Sequence, residues 1–112
     1  MITLNVREEN GWNIVTVDGQ IDLYSSPDIR KELLSQAKTK KVKIVVDLSK
    51  VSYIDSSGVA TLIEAMQKLK KVDGEIALVG LSESVKHVFE IARLESVFAI
   101  YKDIADLFSK RS

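Results

Sequence analysis

Four consecutive residues, Asp55-Ser56-Ser57-Gly58, are the stretch of this chain best suited to chemistry on a hydroxyl. They follow the extended run Val51–Ile54 and precede a run with helical spacing, so they lie at the carboxyl end of a buried strand, where sites in open α/β sheets gather. The first amides of a helix lack intrahelical partners, and an anion there is favoured by the helix dipole. Asp55, Ser56 and Ser57 are all potential caps, although one helix needs only one. Gly58 in the first turn costs about 1 kcal/mol of helix propensity relative to alanine. A missing side chain beside an exposed serine is expected to leave room for a partner. An ordinary helix start uses the same residue types, and that reading stays open on these four residues alone. Asp22, in Gly19-Gln20-Ile21-Asp22, is a second candidate, but it matters only if it folds near Ser56. His87, the single histidine, falls on the polar side of a helix and reads as a surface residue.

Catalysis by these groups is not expected. A serine nucleophile needs a base held by a third group, and His87 is remote in sequence. There is no Gly-x-Ser-x-Gly elbow, phosphate-binding glycine loop with lysine, or metal-ligand cluster. Nothing selects a carboxylate pair of Asp22 and Asp55. The expectation is therefore no enzyme, no cofactor and no metal. With no cysteine, a disulfide framework and a thiolate site are excluded, which fits a reducing compartment. The 16 basic and 16 acidic residues cancel, which argues against a nucleic-acid partner. The first residues do not read as a signal peptide, and no apolar run approaches the ~20 residues of a membrane span. A cytoplasmic protein without membrane insertion is expected.

The elements that must position these groups follow from periodicity. Ile2, Leu4 and Val6 alternate with polar residues, and Trp12–Val17 reads as the partner strand of a hairpin. Gly19–Asp22 is expected to be extended and to leave the sheet. Ser25-Ser26-Pro27-Asp28 is a helix start with a serine cap, followed by Ile29, Leu33, Leu34 and Ala37 at helical spacing. Val42–Leu48 is a nearly continuous β-branched run, suited to a strand covered on both faces. After Gly58, the residues Val59, Leu62, Ile63, Met66 and Leu69 share one helix face. Thr61, Glu64, Gln67, Lys68 and Lys71 form the face expected to be solvated. Ile76–Val79 is a short buried strand and Ser82-Glu83-Ser84 a further cap. Val85, Val88, Phe89 and Ala92 form a third helical stripe. Val97–Ile100 reads as a last strand, and Ile104, Leu107 and Phe108 as a terminal amphipathic helix. This order predicts one α/β domain over residues 1–112, a mixed sheet of about five strands packed by four helices.

With these residues in place, the chain resembles the anti-sigma factor antagonists, the single-domain form of the STAS fold. The likeness spans nearly the whole chain. Gly19-Gln20-Ile21-Asp22 is similar to the family's Gly-Glu-Leu-Asp-like segment, with glutamine at 20 replacing the usual glutamate. Val46-Asp47-Leu48, Ile54-Asp55-Ser56-Ser57-Gly58 and Val59-x-x-Leu62 match the central motif in order and spacing. Gly74-Glu75, then Ser84-Val85 with Phe89 and Leu94, match the later elements. The resemblance implies a partner switch. Ser56 is then the phosphoacceptor, with Asp22, Asp55, Ser57 and Gly58 lining its site. The implied partners are an anti-sigma factor that is itself a serine kinase using ATP, and a serine phosphatase that resets the switch. Two other roles remain open on the same fold: a scaffold subunit of a stress-sensing complex and a cytoplasmic accessory subunit of a transporter with an ATPase.

Overall fold

The computed structural model describes residues 2–111, so Met1 and Ser112 of the expected 1–112 domain lie outside the described residues. β1 (Ile2–Glu9) and β2 (Trp12–Ile21) form the expected antiparallel hairpin. Helix and strand then alternate as α1 (Ser26–Gln36), β3 (Lys43–Ile54), α2 (Ser56–Lys70), β4 (Glu75–Val79), α3 (Glu83–Ile91), β5 (Ala99–Tyr101) and α4 (Ile104–Arg111). The sheet runs β1-β2-β3-β4-β5, with every pair from β2 to β5 parallel. It is the mixed five-stranded α/β architecture expected from the sequence. The last strand is shifted from the expected Val97–Ile100, because the Phe98 side chain turns into the core ahead of the pairing residues.

Successive residues of a strand point to opposite faces, and β3 shows the consequence. Ile44 and Val46 join a core with Ile29 and Leu33 of α1, Leu62 and Leu69 of α2, and Val85 and Phe89 of α3. Val45, between them, joins the opposite core, made with Trp12, Ile14, Ala77, Val79 and Leu107 of α4. Both faces are covered, so the run from Val42 to Leu48 has no reason to alternate. Each Leu, Ile or Phe buried in this way contributes about 1.5–3 kcal/mol relative to exposure.

Two expectations about exposed segments are corrected. Gly19–Ile21 does not leave the sheet. Gly19 pairs with Val51 and Ile21 with Ile54, because β3 continues far enough to give them a partner across two register shifts. Gly19 sits at these irregularities with φ of 131°, a conformation costly for residues with a Cβ. Nor is the far side of α2 uniformly solvated. Thr61 is buried and Glu64 half-buried, because α1 lies alongside. Arg30 of α1 grips Glu64 with two hydrogen bonds of 2.7 and 2.8 Å. That pairing holds the Glu64 carboxyl below its ordinary pKa.

Candidate functional site

The ends of β2 and β3 decide where the two candidate acids lie. Ile21 and Ile54 are register partners on parallel strands, so Asp22 and Asp55 leave the sheet side by side. The Asp55 amide donates to the Ile21 carbonyl at 3.0 Å and ties the two exits together. The proximity that residue spacing left open is thus a product of strand register.

Asp55 is the cap of α2. Its backbone is extended, with φ −107° and ψ −174°, and Oδ1 accepts from the amides of Ser57 (2.9 Å) and Gly58 (3.2 Å). One carboxylate does the capping, and both serines are released from it. Among the described residues neither the Ser56 nor the Ser57 hydroxyl has a hydrogen-bond partner. Ser56 is exposed and Ser57 half-buried. Replacing Asp55 with alanine is expected to lower stability by about 0.5–2 kcal/mol through the lost cap, with asparagine retaining most of it. A urea midpoint for Asp55→Ala equal to wild type, at unchanged slope, would show that the cap is not formed in solution.

Gly58 corrects the expectation that its missing side chain makes room for a partner. The residue is buried and faces the sheet. A Cβ here would stand 2.5 Å from Ile21 Cγ2 and 2.7 Å from Ile54 Cγ1. Glycine is required so that α2 can press onto β2 and β3 immediately behind the serines.

The loop carrying Asp22 is built from its own side chains. Asp22 Oδ1 accepts from the amides of Tyr24 (2.9 Å) and Ser25 (3.0 Å). Ser25 does not cap α1 as expected. It is buried, and its hydroxyl donates to the Gln20 carbonyl at 2.8 Å while accepting from the Asp22 amide at 2.9 Å. Ser26, also buried, donates to the Asp22 carbonyl at 2.6 Å. Burial of Ile29 and Leu33 outweighs a missing cap worth about 1 kcal/mol. The Ser25 amide above all holds the Asp22 carboxyl below its ordinary pKa of 3.8, against a smaller opposing effect of desolvation. Because the folded value is lowered, the loop's contribution to stability is complete above the ordinary value. It is lost as pH falls through the lowered one. A carboxyl-carbon NMR titration is expected to place the Asp22 midpoint below 3.8, and a midpoint at or above it would contradict these hydrogen bonds.

Around the serines the surface is apolar. An open groove of about 460 Å³ runs between α2 and α3 beside Ser56, lined by Val59, Ala60, Ile63, Val88, Ile91 and Ala92. Ile91 is 70% exposed, and Leu23 and Tyr24, which follow Asp22, are 65% and 87% exposed. Large apolar side chains left in water at one rim mark an interaction surface. These residues escaped the sequence reading. Leu23-Tyr24, an apolar pair between a strand and a helix start, was the one available signal. His87 is exposed on α3, as expected. Among the described residues no three His, Asp or Glu side chains converge as metal ligands do.

A model of the STAS domain matches residues 3–107. The chain belongs to the STAS domain family. The anti-sigma-B factor antagonist of Bacillus subtilis is 31% identical to it over 109 residues, 97% of this chain and 93% of the relative. An anti-sigma factor antagonist from Mycobacterium paratuberculosis superposes with a TM-score of 0.86 at 25% identity, over 98% of this chain and 93% of that one. The antagonist SpoIIAA shares the fold in its unphosphorylated form, with a TM-score of 0.80 at 21% identity over 97% of this chain and 96% of that one. Its phosphorylated form gives 0.73 at 20% identity over 97% of this chain and all of that one. The family resemblance read over nearly the whole sequence is thereby borne out, with the STAS match covering residues 3–107. No described helix is long and apolar enough to cross a membrane.

Proposed function

We propose that this STAS domain is an anti-sigma factor antagonist whose partner is switched by phosphorylation of Ser56. One observation carries the reading. Asp55 alone caps α2, which leaves the Ser56 hydroxyl exposed on a rim shared with Asp22 and an apolar groove. The unmodified rim binds an anti-sigma factor that is also a serine kinase. In the modification step the Ser56 Oγ–phosphorus bond forms as the terminal phosphoryl bond of ATP breaks, ADP departs, and the hydroxyl proton passes to a base of the kinase. A serine phosphatase hydrolyses the ester and resets the rim.

The physics favours loss of the complex with retention of the fold. A phosphoryl group adds a charge of about −1.5 to −2. It arrives beside two carboxylates and a groove that a partner must desolvate, so repulsion and desolvation both oppose docking. Within the domain, the start of α2 tolerates an anion. SpoIIAA keeps this fold in both forms, which supports a switch of this kind. The test is a paired pull-down from native lysate with wild type and Ser56→Asp as baits. The reading expects an ATP-binding, kinase-like partner with wild type only. Equal recovery of one set of partners by both baits, a transporter ATPase or other STAS proteins among them, overturns it.

A further inference from the structure

At the end of α2 opposite Ser56, two turns that are far apart in sequence meet. The Lys41 amide donates to the Val72 carbonyl at 2.7 Å, and the Glu75 amide to the Val42 carbonyl at 2.9 Å. This brings Lys38, Lys40 and Lys41 towards Lys68 and Lys71, five of the twelve lysines in a chain with no net charge, whereas Lys70 turns to a separate groove beside Gly74, Ile76 and Val97. All five are exposed, and the ion pairs among the described residues use none of them. Two acids adjoin the lysines: Glu64, one helical turn before Lys68 but gripped by Arg30, and the exposed Asp73 in the turn after α2. Cations in the last turn of α2 suit the helix dipole, which accounts for Lys68 and Lys70. It does not account for Lys40 and Lys41, which lie beyond the end of α1.

Between the two turns is a slot of about 380 Å³, with Leu34, Ala37 and Val72 as its apolar floor and Lys38, Lys68 and Lys71 on its rim. We infer that this slot docks an acidic segment of a protein partner: one aliphatic or aromatic side chain enters it and flanking carboxylates meet the lysines. The shape selects the partner class. A nucleic acid carries no aliphatic side chain for an apolar floor, and a bilayer surface meets lysines without filling a slot between helices. The five lysines outnumber the two acids beside them, so like charges repel here and an acidic occupant complements the excess. The slot lies the length of α2 away from Ser56, about 20 Å at 1.5 Å per residue. The slot shares no residue with the Ser56 rim, so docking here does not depend on the switch.

The experiment is an amide-shift titration of the labelled full chain at low salt. The probe is a synthetic peptide alternating glutamate with leucine. Saturable shifts are expected in residues 34–42 and 68–73, with the Ser56 rim unmoved. The double variant Lys68→Glu, Lys71→Glu changes only exposed side chains and is expected to weaken binding by about tenfold or more. Raising the salt is expected to weaken the wild type alone. Absence of shifts in the two turns overturns the inference, as does equal affinity in the double variant. Shifts there with phosphatidylglycerol vesicles or an RNA oligonucleotide, but not with the peptide, also overturn it.

Discussion

Replacing Gly58 with alanine is expected to destabilise the domain by about 1–3 kcal/mol, although alanine is the better helix former by about 1 kcal/mol. The added Cβ meets Ile21 Cγ2 at 2.5 Å and Ile54 Cγ1 at 2.7 Å. Neither atom is the free end of a flexible side chain, since one is a branch methyl and the other lies mid-chain. Both isoleucines are also almost fully buried and have nowhere to retreat. Relief therefore requires α2 to lift from the sheet, which moves Ser56 and the cap with it. Valine at 58 is expected to cost more than alanine. Urea unfolding of both variants at unchanged slope provides the check. A Gly58→Ala protein as stable as wild type, or more so, would mean that α2 does not sit this close in solution.

Replacing Ser56 with glutamate is expected to move stability and binding in opposite directions. An acidic side chain in the first turn of a helix is favourable by about 0.3–1 kcal/mol, so the unfolding midpoint holds or rises slightly. At the rim the same charge stands beside Asp22 and Asp55 and must be desolvated against the partner. A loss of about 3 kcal/mol in binding is expected, more than a hundredfold in affinity. Calorimetry against the purified partner reads this loss, and thermal melts of the free proteins read the fold. Part of the loss is electrostatic and screened by salt, so the deficit narrows at higher ionic strength. If Ser56→Glu binds as well as wild type, charge at this position does not control the complex. Binding lost together with the fold would instead assign Ser56 a structural role.

The parts of this molecule visible from sequence are those set by local pattern. Ile44-Val45-Val46 reads as a doubly covered strand because no residue in it favours water. Leu62 and Leu69 announce the buried face of α2 by their spacing. What stayed hidden depends on which strands lie side by side. Gly19–Ile21 appeared to leave the sheet because bulges interrupt its alternation, whereas the length of β3 keeps it paired. Thr61 and Glu64 appeared solvated because nothing local reveals that α1 packs across them. At the site, residue types placed the acids and serines at a strand-to-helix junction. They did not show that Asp55 caps α2, that Asp22 stands beside it, or that Gly58 faces inward. The lysine cluster was masked by a net charge of zero, which averages over two turns that only the parallel pairing of β3 with β4 brings together.

Phosphosite mapping tests the central claim most directly. The purified anti-sigma factor partner and ATP are incubated with wild type, Ser56→Ala and Ser57→Ala, and the products are read by peptide mass spectrometry. The account predicts one phosphoryl group on Ser56 in the wild type and in Ser57→Ala, and none in Ser56→Ala. A phosphoryl group that persists in Ser56→Ala and disappears in Ser57→Ala would contradict it, because the half-buried neighbour would then be the acceptor.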